Sequence, residues 1–359
     1  MLLVIFGAGA SYDSVPHLRA SLPSVPPEQR TSVEQDRPPL ANQLFENRPK
    51  FVDAMERFRD CIPLVPLLRK PDIAVEQELA KFQEQAKHYA VMHRRLAAIL
   101  YYLHFALWDC QQRWYRHHRG ITNYATLIHA IDRWRSELGE QVCFVTFNYD
   151  TMLEQALLQV LGLNTDEMDG YISWENYTLI KLHGSVNWGR RVLNIAPDAV
   201  HTFNYERLIR DIGQLEISDS YELTDEYPMA TGSERDHLVF PALSIPVDKK
   251  DEFSCPDAHV EKLASIVPSV TKILTIGWRA TEAKFLNMLQ SSLTGLKGKQ
   301  ELMVVSGTRE GVQETFKNLT RSAVRSSNHA LVETGFTALI MEYLDLLEQF
   351  LHQGIARTV

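Results

Sequence analysis

Short apolar runs alternate along the chain with longer segments whose apolar residues recur every three or four positions. The uninterrupted run Leu2–Phe6 is typical of a strand buried on both faces of a parallel sheet. A helical apolar face over 151–161 follows the second such run. The runs predict strands at 2–6, 141–146, 178–182, 237–240, 272–276 and 301–305. Because strands alternate with helices, the pattern predicts an α/β fold with a doubly wound, Rossmann-like parallel sheet.

The segment between the first two strands has a different pattern. Apolar residues from 82 to 107 recur at helical spacing, with no proline or glycine among them. His93 lies on this stripe, where a packed core histidine is more common than a metal ligand. We therefore expect a helical insertion subdomain over 46–138 within a discontinuous Rossmann-like domain made of 1–45 and 139–359.

Three further segments carry weaker signals. The proline-rich stretch 14–39 predicts a loop beside the end of the first strand. The acidic stretch 215–236 predicts a solvated loop, because its carboxylates lack the spacing of a metal site. An amphipathic stripe over 337–352 predicts a helix that docks on the sheet or on another subunit.

The composition limits which classes of protein the chain can belong to. With 359 residues, of which 45% are hydrophobic, the chain can bury a large core as one domain or two. A net charge of −8 argues against direct nucleic-acid binding and against a membrane-surface binder. The four cysteines form no Cys-x-x-Cys pair, so neither a zinc ribbon nor a disulfide framework is expected. No apolar run approaches the roughly 20 residues that span a bilayer. We expect a soluble, cytoplasmic protein without a metal.

A glycine turn follows the first strand directly, with the sequence Gly7-Ala8-Gly9-Ala10-Ser11. Glycines at these positions allow a sharp bend and a close approach of a pyrophosphate to the backbone, and Ser11 offers a hydroxyl. The third glycine of the usual dinucleotide fingerprint is missing, so this is not a standard dehydrogenase signature. Taken alone, the motif fits an ordinary tight turn equally well.

Polar residues also follow two other predicted strands. Asn148 and Asp150 come after the strand at 141–146, and His183 comes after the strand at 178–182. Asp150 directly precedes an apolar helix, so a helix-capping role competes with a ligand-binding one. In parallel sheets, ligands bind outside the carboxyl ends of the strands. The combination with the glycine turn therefore predicts a ligand site at this edge.

These motifs resemble the sirtuin-like family, whose members have a Gly-Ala-Gly-x-Ser turn, an Asn-x-Asp and a catalytic His-Gly in this order. The resemblance covers most of the chain outside the helical segment. It is closest to the bacterial branch found in antiphage defence, in the motifs at 146–150 and 182–188 and in the segment 37–45. It implies a sirtuin-like domain with NAD as substrate. It also implies NAD-contacting turns at Gly277, Trp278, Ser306 and Gly307.

The chain departs from the deacylases of this family in informative ways. They carry a zinc ribbon of two cysteine pairs after the catalytic histidine, and this sequence has no such pairs. Phe147 stands where they have a polar Gln, and Gly-Trp-Arg at 277–279 replaces Gly-Thr-Ser. Because the zinc module shapes the acyl-lysine groove, these departures favour NAD hydrolysis over deacylation.

The resemblance and the chemistry together predict an NAD glycohydrolase that releases nicotinamide and ADP-ribose. Asn148 would orient the attacking water or the ribose hydroxyls, and His183 would act as general base. Asp150 would hold the nicotinamide ribose or stabilise developing positive charge. The turn formed by Gly7, Ala8, Gly9, Ala10 and Ser11 would hold the pyrophosphate. An NAD-dependent protein deacylase and a non-catalytic sensor of NAD or ADP-ribose remain alternatives.

The family branch also implies how such an enzyme is used. It predicts an NAD-depleting effector of antiphage defence, regulated by homo-oligomerisation, by a HerA-type ATPase or by an Argonaute-like partner. Simple hydrolysis and cyclisation of ADP-ribose share the same cleavage step, and the sequence leaves both open.

Overall fold

The computed structural model describes residues 1–18, 25–70, 75–196, 199–200, 204–224, 237–245, 253–293, 300–322 and 324–352. The strands are β1 (Leu2–Phe6), β2 (Val142–Thr146), β3 (Tyr177–Lys181), β4 (Gly184–Val192), β5 (Ile217–Leu223), β6 (Val239–Leu243), β7 (Lys272–Ile276), β8 (Gln300–Val305) and β9 (Ser326–Val332).

The helices up to the second strand are α1 (Ala8–Tyr12), α2 (Ser32–Gln35), α3 (Pro49–Arg57), α4 (Val65–Leu68), α5 (Val75–Ala86), α6 (Ala90–His118) and α7 (Asn123–Leu138). Those that follow are α8 (Met152–Leu161), α9 (Tyr205–Arg210), α10 (Asp257–Ile266), α11 (Ala283–Leu293), α12 (Arg309–Ser322), α13 (Gly335–Met341) and α14 (Leu344–His352).

Six strands form a parallel sheet in the order β3-β2-β1-β7-β8-β9. Its central strand β1 is completely buried, as its uninterrupted apolar sequence requires. The strand order reverses between β1 and β7, which is the topological switch point of a doubly wound sheet. This arrangement confirms the predicted α/β, Rossmann-like fold with flanking helices and a helical insertion.

A second, antiparallel sheet has the strand order β5-β4-β6. It corrects two expectations. The prediction of a solvated loop was wrong for 217–223, which form β5, while 225–236 lie outside the described residues. The strand predicted at 237–240 is β6, and it pairs in this second sheet rather than in the parallel one. β5 is half-buried, with the polar residues Asp219 and Ser220 exposed, so its sequence has the polarity of a loop.

The amphipathic stripe over 337–352 forms two helices rather than the single one expected. Helix α13 ends at Met341, and α14 begins at Leu344. Glu342 and Tyr343 between them are exposed, and the amides of both residues donate to the carbonyl of Ala338. The buried faces of α13 and α14 both pack in the core of the parallel sheet. The break therefore lets two short helices follow the curved surface of one core.

Buried side chains form two hydrophobic clusters. The first surrounds the parallel sheet, and the second fills the space between α3, α5, α6 and the antiparallel sheet. Tyr124 and Trp134 of α7 belong to the first cluster. The boundaries of the helical subdomain at 46 and 138 stay a prediction. The four cysteines are buried thiols. Within the described ranges no helix is long and apolar enough to cross a membrane.

Candidate functional site

A cavity of about 780 Å³ opens at the carboxyl ends of the parallel strands, beside the switch point between β1 and β7. Its volume lies within the range of about 300–1,000 Å³ that is usual for small-molecule sites. Predicted site residues that line it are Gly7, Ala8, Gly9, Ser11, Asn148, Asp150, His183, Gly277, Trp278, Ser306 and Gly307. Ala10 is fully buried instead, and its amide donates to the Gly7 carbonyl at 2.9 Å.

The glycine turn after β1 crosses the turn after β7 in direct backbone contact. The amide of Gly9 donates to the Gly277 carbonyl at 3.1 Å. A Cβ on Gly7 would lie 2.7 Å from the Cα of Trp278, and Gly277 has a φ of +62°. These glycines are therefore needed for the crossing itself, whatever ligand the turns bind.

Asn148 has its side-chain nitrogen anchored in the protein. Its Nδ2 donates to the Gly7 carbonyl at 3.0 Å and to Ser11 Oγ at 2.9 Å. Tyr124 OH lies 3.4 Å from the same nitrogen and 3.0 Å from Ser11 Oγ. Asn148 is 7% exposed, so only a small part of its side chain faces the cavity. The predicted residue is thus held rigidly at the cavity floor.

Asp150 contacts the start of α8 and also borders the cavity, so its position is compatible with both of the roles considered from the sequence. Its Oδ1 accepts from the amide of Met152 at 3.1 Å, at the start of α8, and the half-buried residue also lines the cavity. Its carbonyl accepts from the ammonium of Lys181, which forms a buried ion pair with Glu154 at 2.7 Å. Burial raises the pKa of Glu154, while the adjacent Lys181 lowers it by a smaller amount.

His183 lies among aromatic rings at the end of β3. Its ring centroid is 4.8 Å from that of Phe147 in an edge-to-face arrangement, and its carbonyl accepts from the amide of Ser244 at 2.9 Å. Phe147 in turn stacks on Trp278, with centroids 5.3 Å apart and planes within 7°. Phe147 and Trp278, two of the departures from the deacylase pattern, therefore form one apolar wall beside His183.

The wall of the cavity opposite the sheet comes from the segment 38–44 and from α6. Arg37 and Arg48 anchor this segment: Arg37 donates to the Tyr12 carbonyl at 2.7 Å, and Arg48 donates to the Arg37 carbonyl at 2.5 Å. Gln111 of α6 lines the cavity and accepts from the amide of Thr151 at 2.9 Å. The segment 37–45, predicted on resemblance, thus borders the same cavity.

The charge of the cavity is mostly negative. Among its described lining residues, Arg279 is the one Lys or Arg. The carboxylates along the wall and rim are Asp13, Glu76, Asp150, Glu282, Glu310, Glu314 and Glu342. Negative charge of this kind favours a ligand, or a transition state, that carries positive charge close to the wall. In the described part of the chain, no three His, Cys, Asp or Glu side chains are grouped to hold a metal ion.

Three residues with a place in this site were not predicted from the sequence: Tyr124, Lys181 and Glu154. Tyr124 is 113 positions from Ser11, and Lys181 is 27 positions from Glu154. No local sequence motif predicts contacts between residues so far apart in the chain. The one available signal was Lys181 itself, since a lysine that ends an otherwise apolar strand must find a buried partner.

The chain matches no family model and no curated protein. Solved structures resemble it weakly. A crystal structure of a Sir2 homologue in complex with NAD has 12% identity and a TM-score of 0.39, covering 98% of this chain and 90% of that one. A complex of Sir2 with a p53 peptide and NAD⁺ has 12% identity and a TM-score of 0.38, covering 96% and 94%. A mutant Sir2 homologue with 2'-O-acetyl ADP ribose has 11% identity and a TM-score of 0.41, covering 99% and 94%.

Proposed function

We propose that this protein is an NAD glycohydrolase that cleaves NAD to nicotinamide and ADP-ribose. The observation on which the proposal rests is that motifs separated along the chain line one cavity at the switch point. The turn after β1, Asn148 and Asp150 after β2 and His183 after β3 all contribute to its wall. Their resemblance to the sirtuin-like motifs supports NAD as the ligand.

In this proposal the dinucleotide lies across the carboxyl ends of the strands. Its pyrophosphate meets the turn after β1, where Ala8, as the first residue of α1, has an amide without an intrahelical acceptor. The adenosine half extends towards Ser306 and Gly307 at the end of β8. The turn at Gly277 and Trp278 lies between them. The nicotinamide ribose then lies near Asn148, Asp150 and His183.

The proposed reaction breaks the bond between nicotinamide and C1' of the ribose. Nicotinamide leaves with the bonding electron pair, and a water molecule adds to the positively charged carbon. His183 accepts the proton of that water and releases it to solvent, so the products are nicotinamide, ADP-ribose and a proton. Asp150 stabilises the positive charge that develops on the ribose, and Asn148 orients the water or a ribose hydroxyl.

The negative charge at Asp150 fits this chemistry at the nicotinamide end of the ligand. A carboxylate near C1' stabilises an oxocarbenium-like transition state more than the substrate, which is the requirement for catalysis. The pyrophosphate gains nothing from a carboxylate and depends on the Ala8 amide and on Arg279. The amides of Gly7, Gly9 and Ala10 already donate to backbone carbonyls. We therefore expect binding energy to come from the turns, and rate acceleration from Asp150.

The cellular role is proposed on the family resemblance alone. It supports an NAD-depleting effector of antiphage defence in the cytoplasm, with no direct contact to nucleic acid or membrane. Because constant NAD hydrolysis would harm the cell, we propose control by homo-oligomerisation or by a HerA-type ATPase or Argonaute-like partner. Light scattering of the purified chain tests the first of these, and a strict monomer would remove it.

The test is release of nicotinamide and ADP-ribose from NAD by the purified chain without any peptide. Asn148→Asp keeps the size of the side chain but replaces the donor facing the Gly7 carbonyl with an acceptor, and we expect turnover to fall by at least about 100-fold. Asn204→Asp is the matched control, because Asn204 uses its oxygen to accept from the amide of Arg207 at 2.9 Å.

The outcomes separate the alternatives. Turnover by the parent and by Asn204→Asp, with loss in Asn148→Asp and His183→Ala, supports the hydrolase. Release of nicotinamide only after addition of an acyl-lysine peptide would identify a deacylase instead. Tight ADP-ribose binding without turnover in any oligomeric state would identify a sensor.

A further inference from the structure

Three polar groups form a closed triangle beneath the cavity floor. Asn148 Nδ2 lies 2.9 Å from Ser11 Oγ and 3.4 Å from Tyr124 OH. Ser11 Oγ and Tyr124 OH lie 3.0 Å apart. The three come from the loop after β2, from α1 and from α7, so the triangle joins separate elements at one point.

The Gly7 carbonyl determines which end of the Asn148 amide faces inward. A backbone carbonyl can only accept, so the group 3.0 Å from the Gly7 carbonyl must be the nitrogen. The two protons of Nδ2 are then used by the Gly7 carbonyl and by the Ser11 hydroxyl. The oxygen Oδ1 is the end of the amide that remains for the cavity.

Tyr124 is held by close packing around its ring. It is 1% exposed, and its ring packs against Phe6 and Phe336 with centroids 5.2 and 5.4 Å away. The neighbouring Asn123 ties the start of α7 to the Asp13 carbonyl at 2.7 Å. Burial raises the pKa of the Tyr124 phenol, so its hydroxyl stays protonated at every working pH.

We propose that Tyr124 is a positioning residue for the hydrolase reaction. Its hydroxyl fixes the Ser11 hydroxyl, and together they hold the Asn148 amide with Nδ2 towards Gly7 and Oδ1 towards the cavity. Asn148 therefore acts on its ligand only as a hydrogen-bond acceptor, for the O–H of a water or of a ribose hydroxyl. This inference rests on the function proposed above and extends it to a residue that does not touch the substrate.

Removal of the Tyr124 hydroxyl leaves the Ser11 hydroxyl with one fixed partner fewer. With Ser11 Oγ less firmly placed, the Asn148 amide is held mainly by the Gly7 carbonyl, and its oxygen is less firmly held in the productive position. Small misplacements of a catalytic group cost about 10- to 100-fold in rate without weakening substrate binding. The expected signature is a lower kcat at an unchanged KM, with kcat taken per mole of ADP-ribose-binding sites, because unfolded protein by itself lowers an uncorrected kcat at the same KM.

The first experiment measures steady-state NAD hydrolysis by Tyr124→Phe. We expect kcat to fall by about 10-fold or more, with KM and the ADP-ribose affinity within about twofold of the parent. Tyr177→Phe is the matched control, because that hydroxyl also has polar partners, Asp132 at 2.5 Å and Arg135 at 3.1 Å, but lies at the amino end of β3. The kcat of Tyr177→Phe should equal that of the parent.

A second experiment does not depend on turnover. The side-chain amide protons of Asn148, observed by NMR, should exchange slowly in the parent and faster in Tyr124→Phe, with ADP-ribose present in both. If the parent releases no nicotinamide, the proposed function fails while this measurement still tests the triangle. Unchanged exchange together with parental kcat in Tyr124→Phe would overturn the inference. So would a higher KM at parental kcat.

Discussion

The carboxylate of Asp150 serves a helix and borders a cavity at the same time. One oxygen accepts from the Met152 amide at the start of α8, while the residue lines the cavity wall. An amide oxygen can take over the first role but carries no negative charge for the second. The two roles can therefore be separated by a single substitution.

We expect Asp150→Asn to fold with a stability within about 1 kcal/mol of the parent, because the acceptor for Met152 remains. Its kcat for NAD hydrolysis should fall by about 100-fold, since a neutral amide stabilises an oxocarbenium-like centre poorly. Thermal unfolding and nicotinamide release measure the two effects. Parental activity in Asp150→Asn would mean that the Asp150 carboxylate serves only the start of α8 and not the reaction.

The buried ion pair behind Asp150 gives the site a pH-dependent stability. Lys181 Nζ and Glu154 Oε1 are 2.7 Å apart and both residues are buried, while Glu154 Oε2 has no partner among the described residues. Because burial holds the pKa of Glu154 above its unfolded value, the native state binds more protons than the unfolded state. From this group, stability falls as the pH rises through the native pKa.

Lys181→Met should destabilise the protein by about 3–5 kcal/mol, because it leaves a buried carboxylate without its counter-charge. The pKa of Glu154 then rises further, so the loss measured by urea unfolding should be larger at about pH 8 than at about pH 5. Adding Glu154→Gln should remove this pH dependence. Lys50→Met, which breaks the exposed pair with Asp53, should cost under about 1 kcal/mol at both pH values. Equal losses for Lys181→Met at both pH values would contradict this account.

The crossing of the two turns depends on the absence of side chains at that point. Gly277 has a φ of +62°, and a Cβ there would lie 2.6 Å from the Cα of Gly9. Gly307, in the turn after β8, has no atom within 4 Å of the place a Cβ would occupy. The same glycine-to-alanine change therefore meets a packed backbone in one turn and open space in the other.

Gly277→Ala should lower the free energy of unfolding by several kcal/mol, about 1–3 kcal/mol from backbone strain with the steric clash in addition. Gly307→Ala should leave stability within about 1 kcal/mol of the parent. Urea unfolding of both variants measures the difference. A Gly277→Ala protein as stable as Gly307→Ala would show that the two turns separate readily.

The elements that the sequence predicted correctly are those whose burial is uniform. β1, β2 and β7 lie in the middle of the parallel sheet, so their sequences are continuous apolar runs. β4 contains Asn187 and a pair of arginines, and β9 begins with Ser-Ser-Asn, so neither has an apolar run or a clear alternation. Their pairing depends on partner strands distant in sequence.

Some residues of the candidate site could be predicted from the sequence, and others could not. Asn148, Asp150 and His183 could be predicted because each lies within four residues of the end of a strand, and a parallel sheet brings such positions to one edge. Tyr124 lies at the start of a helix and has no motif around it. Its role depends on how α7 packs on the sheet, which is a property of the tertiary structure.

The cavity lies between the two hydrophobic clusters of the molecule. Phe147, Trp278 and Phe336 on its wall belong to the cluster around the parallel sheet, while Leu44 and Leu107 belong to the cluster of the helices and antiparallel sheet. A ligand that fills the cavity therefore contacts both. Its binding free energy is available only when both clusters are folded.

We therefore expect ADP-ribose to stabilise the whole molecule as one unit. At about 100 times its Kd, it should add about 2.7 kcal/mol to the free energy of unfolding and raise the Tm by several degrees. Calorimetry should show one transition that moves as a whole, and adenosine at the same concentration should move it less, because it lacks the pyrophosphate and the second ribose. Two transitions of which ADP-ribose shifts only one would mean that the ligand is bound by a single cluster. The segment 38–44 would then border the cavity without contributing to binding.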